Sequence, residues 1–306
     1  MSSLIEQAAA RLEQLRRAGV PMSEPVAAPP QSRPSSAAST QAAAPPEPPQ
    51  AEVPIAVSRK VEIDLEALAI AGIVSPTAPR SQVADQFRVI KRPLIANAFG
   101  KGAAPVANGN LIMVTSALAG EGKSFTAINL AMSIATELDT TVLLVDADVA
   151  RPSVLRVLGL PPSPGLLDLV LDDKKEMSDV LLRTNIDKLS ILPSGTPHER
   201  ATELLASDAM IKLLENMARR YPDRIIIFDS PPLLLTTESR VLAAHMGQIV
   251  MVVRAEYTMQ VDVTTALSNI ESCPVKMLVL NQARVAARGT YGLGYGYGYG
   301  YGYGNE

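Results

Sequence analysis

The sequence is poor in cysteine, in net charge and in long apolar runs, and each shortage excludes a class of protein. Cys273 is the single cysteine, so an internal disulfide framework is excluded and we expect a reducing compartment. The 28 basic and 31 acidic residues give a net charge of −3, which argues against a nucleic-acid-binding protein. No apolar run reaches the roughly 18–20 residues of a membrane span, and the N-terminus lacks a signal-peptide core. We therefore expect a soluble, intracellular chain.

Composition divides the 306 residues into four expected segments. Residues 1–20 carry an apolar stripe at 3-4-3 spacing and are expected to form an amphipathic helix, which packs on its own domain or serves docking or self-association. Residues 21–57 are rich in Pro and Ala and are expected to be a disordered linker, with a polyproline ligand as the alternative. Residues 58–283 are long enough for one large core. Residues 284–306 are expected to be a flexible Gly/Tyr-rich tail.

Apolar runs alternate with amphipathic stretches along residues 58–283. The runs expected to be buried strands are Leu111–Thr115, Thr141–Val145, Leu189–Leu192, Arg224–Phe228, Gln248–Val253 and Lys276–Leu280. The stretches expected to be helices are Ser124–Glu137, Asp208–Tyr221, Glu238–His245 and Met259–Ser272. Strands separated by helices predict an α/β fold with a doubly wound, mostly parallel sheet. Ligands of such sheets bind outside the carboxyl ends of the strands.

A phosphate-binding loop follows the first of these strands. Residues 117–124 read Ala-Leu-Ala-Gly-Glu-Gly-Lys-Ser and match the P-loop pattern G-x-x-x-x-G-K-[ST] except at the first position. Gly120 and Gly122 allow backbone N–H groups to turn inward towards an anion, beside a helix N-terminus. Lys123 can reach the β- and γ-phosphates, and the Ser124 hydroxyl can bind Mg²⁺. The alternative is a glycine-rich turn without a ligand.

Acidic residues stand at the ends of two other predicted strands. One strand runs into Asp146-Ala147-Asp148, with Arg151 soon after, and another runs into Asp229. Carboxylates beside a P-loop hold Mg²⁺ through its water shell. A single Asp could instead cap a helix, but three in this arrangement indicate a site for a magnesium nucleotide.

These motifs together resemble the Walker A, A′ and B motifs of the bacterial protein-tyrosine kinases (BY-kinases) of polysaccharide export. The resemblance rests on Ala117–Ser124, Asp146–Pro152 and Asp229–Pro232. Chain order, spacing and the opening Leu4-Ile5-Glu6-Gln7-Ala8 are similar to the exosortase (XrtA)-associated tyrosine autokinase branch. The resemblance implies a P-loop NTPase of the deviant-Walker, partition-ATPase-like type, with ATP and Mg²⁺ as cofactors. It also implies autophosphorylation on tyrosine that regulates exopolysaccharide synthesis and export.

The resemblance implies roles for individual residues. The expected catalytic residues are Lys123, Asp146, Asp148 and Asp229. The expected nucleotide-binding residues are Ala119, Gly120, Glu121, Gly122, Lys123, Ser124, Phe125 and Asn281. The expected Mg²⁺ site comprises Ser124, Asp146, Asp148 and Asp229. We favour Asp148 over Asp146 as the base that takes the proton of a tyrosine, and Arg151 and Arg254 as candidates to stabilise transition-state charge.

Residues 85–91 stand where the family has an E-x-x-R-x-x-R helix that builds a ring of subunits. Asp85, Arg88 and Lys91 are the matching residues, with Asp replacing Glu and Lys replacing the last Arg. Since Lys lacks the bidentate fork of Arg, a solvated charged face is the alternative. The resemblance further implies a homo-oligomer, with a membrane-spanning polysaccharide chain-length regulator and a cognate tyrosine phosphatase as partners. The near-neutral charge predicts no nucleic-acid partner. It implies a cytoplasmic chain recruited to the inner face of the membrane.

The end of the chain carries six of its eight tyrosines. The expected phosphoacceptors are Tyr291, Tyr295, Tyr297, Tyr299, Tyr301 and Tyr303. Alternating Gly supplies the flexibility to bring each hydroxyl to one site. A low-complexity end without a catalytic link is the alternative.

Two other functions remain open from the sequence. A partition- or division-type switch ATPase shares the fold and most motifs, but it does not account for the tyrosine tail. A nucleotide-bound scaffold would use the N-terminal helix and linker to recruit export machinery. The two histidines, His198 and His245, have no metal-ligand spacing.

Overall fold

A computed structural model describes residues 58–76, 81–220 and 223–284. The strands are β1 (Arg59–Val61), β2 (Leu111–Ser116), β3 (Thr141–Asp146), β4 (Leu182–Thr184), β5 (Leu189–Leu192), β6 (Arg224–Asp229), β7 (Gln248–Arg254) and β8 (Val275–Asn281). The helices are α1 (Leu65–Ile70), α2 (Gln82–Ala98), α3 (Lys123–Ala135), α4 (Val154–Val157), α5 (Leu166–Leu171), α6 (Met177–Val180), α7 (Ala201–Leu205), α8 (Asp208–Arg220), α9 (Glu238–Ala243) and α10 (Gln260–Ser268). The predicted N-terminal helix, linker and tail lie outside the described residues.

The eight strands form one sheet in the order β1-β4-β5-β3-β6-β2-β7-β8. All neighbouring strands pair in parallel except β4 and β5, which pair antiparallel. The prediction of a mostly parallel α/β sheet is therefore confirmed. The strand that enters the P-loop lies between β6 and β7, so the loop emerges near the middle of the sheet.

Helices cover both faces of the sheet because the central strands are apolar on both sides. Alternate residues of β2 divide between two cores: Met113 packs with residues of α8 and α9, whereas Val114 packs with residues of α2 and α3. All six residues of β2 are buried. This packing fixes the position at which the P-loop leaves the sheet.

The six predicted strands are confirmed within about one residue at each end. The four predicted helices are also present, although α9 and α10 end before His245 and Ser272 respectively. The sequence interpretation missed β1, β4, α1 and the short helices α4 to α7. Across the described ranges, no helix is both long and apolar enough to cross a membrane.

Candidate nucleotide site

The P-loop depends on glycine at two positions. Gly120 and Gly122 have φ angles of +80° and +97°, a backbone region that favours glycine. A Cβ on Gly122 would also lie 2.0 Å from Nδ2 of Asn281. Because Gly122 is the N-cap of α3 and has no side chain to cap it, the first N–H groups of the helix are available to an anion.

The side chain of Glu121 braces the loop from inside. It is fully buried, and one carboxylate oxygen accepts a hydrogen bond from the backbone N–H of Leu118 at 2.7 Å. The other oxygen accepts a short hydrogen bond from the hydroxyl of Thr258, which follows β7. The Glu121 backbone oxygen accepts a hydrogen bond from Nδ2 of Asn281 at 2.9 Å. Glu121 and Asn281, both predicted to bind nucleotide, therefore hold the loop together, and direct contact of either with nucleotide stays a prediction.

Asp146 ends β3 and ties the next segment to the site. Its Oδ2 accepts hydrogen bonds from the backbone N–H groups of Ser153 and Val154, each at 3.0 Å. Ser153 in turn donates its hydroxyl hydrogen to Oγ of Ser124 at 2.7 Å. The sequence interpretation missed Ser153, although it follows the Arg151-Pro152 pair directly.

Asp229 ends β6 directly beside Asp146 in the sheet register. Both carboxylates are buried, and burial is the main cause that raises the pKa of Asp146 to about 6 and that of Asp229 to about 7. The neighbouring carboxylates raise both pKa values further, whereas the nearby Ser124 hydroxyl and, to a smaller extent, Lys123 oppose the rise at Asp229. Oδ1 of Asp146 and both oxygens of Asp229 are buried without a hydrogen-bond partner. Such unpaired oxygens are costly unless a ligand satisfies them.

A cavity of about 590 Å³ opens between the P-loop, the segment after β3 and the turn after β6. The predicted site residues that line it are Ala119, Gly120, Gly122, Lys123, Ser124, Phe125 and Asp148. Burial raises the pKa of Asp148, whereas Lys123 and the backbone N–H of Arg151 lower it. Arg151 lines the cavity together with Arg156, which the sequence interpretation missed. Arg254 does not line the cavity. Its guanidinium lies 4.5 Å from the ring centroid of Tyr257.

The residues around this cavity fit a magnesium nucleotide. Asp146 and Asp229 do not line the cavity, but their unpaired buried oxygens suit a cation, and the helix N-terminus suits phosphates. Within the described ranges, no three His, Cys, Asp or Glu side chains are placed to hold a metal by themselves. Mg²⁺ usually keeps several waters and shares its ligands with phosphates. Ser124 would bind the metal directly, and the three aspartates would hold its water shell.

The residues predicted to assemble a ring lie on α2. Asp85 and Arg88 form an exposed ion pair one helical turn apart. Lys91 is buried within the chain, where its ammonium forms an ion pair with Glu137 at 2.7 Å and donates to the Ser133 carbonyl oxygen and the Thr136 hydroxyl. Lys91 therefore has a structural role in its own chain, and the predicted role of the three residues in assembly stays a prediction.

The site combines a glycine-containing phosphate loop before a helix with carboxylates at the ends of neighbouring parallel strands. This arrangement defines the class of P-loop nucleotide-binding proteins. Residues 109–277 match the family model described as an AAA domain. Since this match covers more than half of the sequence, the chain belongs to the AAA domain family.

Curated relatives of the chain are named as tyrosine-protein kinases. The putative tyrosine-protein kinase EpsB of Ralstonia nicotianae is 32% identical over 168 residues, which are 55% of this chain and 22% of that protein. The tyrosine-protein kinase YwqD of Bacillus subtilis is 29% identical over 222 residues, which are 72% of this chain and 90% of that protein. The match therefore spans about a fifth of EpsB but nearly all of YwqD.

A solved structure has the same fold. The chimerical protein CapA2B2 is 26% identical, with a TM-score of 0.56 over 72% of this chain and 93% of that chain. The names of the relatives support the resemblance to BY-kinases, and this structure supports the fold. They do not distinguish the exosortase-associated branch.

Proposed function

We propose that the chain is an ATP-dependent protein-tyrosine kinase that phosphorylates the six tyrosines of its own tail. The observation that carries this proposal is the cavity that Lys123, Ser124 and Asp148 line together at the carboxyl edge of the sheet. Its relatives named tyrosine-protein kinases support the reaction. The tyrosine-rich tail follows in sequence after β8, which ends at the same edge of the sheet, and this supports the choice of acceptor.

The P-loop binds the triphosphate of ATP. The N–H groups at the start of α3 and the Lys123 ammonium bind the β- and γ-phosphates. Mg²⁺, when bound, neutralises the phosphate charge. Asp146 is held by two backbone N–H groups and keeps Ser153 and Ser124 in place, so it orients the metal site. Asp229 holds the water shell of the metal with its two unpaired oxygens.

Asp148 accepts the proton of the tyrosine hydroxyl. It lines the cavity, whereas Asp146 is turned towards the backbone of residues 153 and 154. A free phenol has a pKa near 10, so it needs a base in order to attack at neutral pH. Because burial raises the pKa of the Asp148 carboxyl, it is a stronger base than an exposed aspartate. Arg151 stabilises the negative charge that develops on the transferred phosphoryl group.

The tail is long enough to reach a site of this kind. Between Asn281 and the first and last acceptors, Tyr291 and Tyr303, the chain spans roughly 33–75 Å when extended. The P-loop strand lies two strand spacings from β8, about 10 Å away. Either the chain's own site or that of a neighbouring subunit is therefore within reach.

In the cell, the kinase regulates exopolysaccharide synthesis and export as a homo-oligomer. The similarity of residues 4–8 and of the tail to the exosortase-associated branch supports this part of the proposal. A membrane-spanning chain-length regulator recruits it to the inner face of the membrane, and a tyrosine phosphatase reverses the modification. Asp85 and Arg88, both exposed on α2, are the residues available for ring assembly.

Labelling with γ-³²P ATP and Mg²⁺ tests the proposed activity. We expect wild-type protein to incorporate label on tyrosine and Lys123→Met to lose it. The matched control is Lys174→Met, which removes an exposed lysine from the loop before α6 and should label normally. Tyrosine labelling that persists in Lys123→Met at the wild-type rate contradicts the assignment.

A further inference from the structure

The cavity at the phosphate site has an apolar wall that a triphosphate does not need. Val157, at the end of α4, and Leu235, in the turn after β6, line it beside Pro231 and Pro232. The side chain of Leu235 is 60% exposed and that of Val157 is 37% exposed. Partly exposed apolar side chains that line the same cavity mark a surface that an apolar group can cover.

The turn that carries Leu235 is fixed to the P-loop strand. The N–H of Leu233 donates to the Ser116 carbonyl at 2.8 Å, and that of Leu234 donates to the Ala117 carbonyl at 3.2 Å. The N–H of Leu235 closes the turn on the Pro232 carbonyl at 3.3 Å. Leu235 therefore keeps a constant position relative to the phosphate loop.

Val157 is fixed to the same site by the segment that follows β3. The N-terminus of α4 is held by Asp146, which accepts a hydrogen bond from the N–H of Val154. The hydroxyl of Ser153 is bonded to that of Ser124 in the P-loop. Both apolar side chains are thus positioned by residues of the phosphate site itself.

We propose that Val157 and Leu235 form an acceptor subsite that binds the ring of a tail tyrosine with its hydroxyl towards Asp148. This inference rests on the proposed kinase function. An aromatic ring buries about 150–250 Å² and so matches an apolar wall, which a serine side chain would leave uncovered. The glycine that follows each tail tyrosine lets the backbone pass close to the wall.

The geometry of the subsite defines the transfer step. The tyrosine oxygen forms a bond to the γ-phosphorus while the bond from that phosphorus to the β,γ-bridging oxygen breaks. ADP leaves with the electron pair of the broken bond, and Asp148 takes the phenolic proton. Specificity for tyrosine over serine then comes from burial of the ring, and also from the greater length of the tyrosine side chain.

Steady-state kinetics with an added peptide test the subsite. The peptide carries the sequence of residues 289–306, and the full chain is the enzyme. We expect Leu235→Ala and Val157→Ala each to raise the KM for the peptide roughly five- to tenfold, with the KM for ATP unchanged. The matched control is Leu138→Ala, since Leu138 is 85% exposed and precedes β3 at the opposite edge of the sheet.

The same peptide with every Tyr replaced by Phe provides a second readout in wild-type protein. We expect it to inhibit competitively against the Tyr peptide, and the peptide with Ala in place of Tyr not to inhibit. An absent effect of the Phe peptide contradicts ring binding even if a variant fails to fold. A rise in the KM for ATP in Leu235→Ala would instead assign the wall to the adenine ring and overturn the inference. If wild-type protein phosphorylates neither peptide nor tail, the proposed function itself fails, whereas an active enzyme with unchanged peptide KM refutes the subsite alone.

Discussion

Asn281, the last residue of β8, donates a hydrogen bond from Nδ2 to the backbone oxygen of Glu121 at 2.9 Å. The residue from which the chain continues towards the tyrosine tail is thus bonded to the loop that binds phosphates. The same nitrogen would lie 2.0 Å from a Cβ on Gly122, so strand and loop are in close contact.

Removal of this contact should weaken nucleotide binding. Asn281→Ala leaves the Glu121 carbonyl without its partner, which costs about 1–2 kcal/mol and frees the loop to move. We expect the Kd for ATP to rise by about tenfold in calorimetric titration. Asn216→Ala, on the exposed face of α8, is the matched control and should bind as the wild type does. Equal affinities in all three proteins would show that the bond does not support the loop.

Substitution of Gly122 should destabilise the protein more than substitution of a glycine whose Cβ would meet no other atom. Gly159 has a φ of +70° with open space around its Cβ position, so Gly159→Ala costs about 1–2 kcal/mol of strain. Gly122→Ala adds the clash with Asn281 and should destabilise the protein further in urea denaturation. In an Asn281→Ala background the excess should shrink towards the Gly159→Ala value. An excess that is unchanged in that background would mean that Asn281 is not its cause.

The nucleotide-free protein should lose stability as pH rises from about 4 to 7. Burial raises the pKa of Asp229 to about 7, so the folded state binds more protons than the unfolded state in this range. Stability that is present below the unfolded pKa is therefore lost as pH passes the folded pKa, by at most about 4 kcal/mol.

Asp229→Asn separates this effect from ligand binding. The variant should be more stable than wild type at pH 8 without nucleotide, because the carboxyl at position 229 no longer has to ionise, and its stability should depend less on pH. It should also lose the rise in melting temperature that Mg²⁺-ATP gives. The exposed Asp173→Asn serves as control. A wild-type stability that does not change between pH 4 and 7 would contradict the assigned direction.

Lys91 should contribute more to the stability of the fold than Arg88 does. Lys91→Met removes the buried ammonium that holds the end of α3, and we expect a loss of about 1–3 kcal/mol of stability. Arg88→Ala removes an exposed partner and should change stability by less than about 0.5 kcal/mol. Chemical denaturation measures both, and sedimentation shows whether Arg88→Ala reduces assembly. A stability loss for Arg88→Ala as large as that for Lys91→Met would be inconsistent with their burial.

Much of the fold could be predicted because its strands are long and apolar. The predicted strand Leu111–Thr115 begins at the same residue as β2 and ends one residue earlier. β1 and β4 could not be predicted, since each has three residues and includes charged ones. A four-residue helix such as α4 is too short to show a helical period.

The carboxylates of the site were predictable because parallel strands end at one edge of the sheet. Asp146 and Asp229 are 83 positions apart in sequence and are partners in the register of β3 and β6. The hydrogen bond between Glu121 and Thr258 was not predictable, because nothing in the sequence pattern indicates that residues 137 positions apart are in contact. The apolar wall formed by Val157 and Leu235 likewise depends on turns that only the folded chain brings together.

Mass spectrometry of residues 291–303 after incubation with ATP and Mg²⁺ tests the central claim most directly. The account predicts phosphotyrosine in this segment of the wild-type protein and its loss in Asp148→Asn. Wild-type protein that consumes ATP while every one of these tyrosines stays unmodified would contradict the account and favour a switch ATPase.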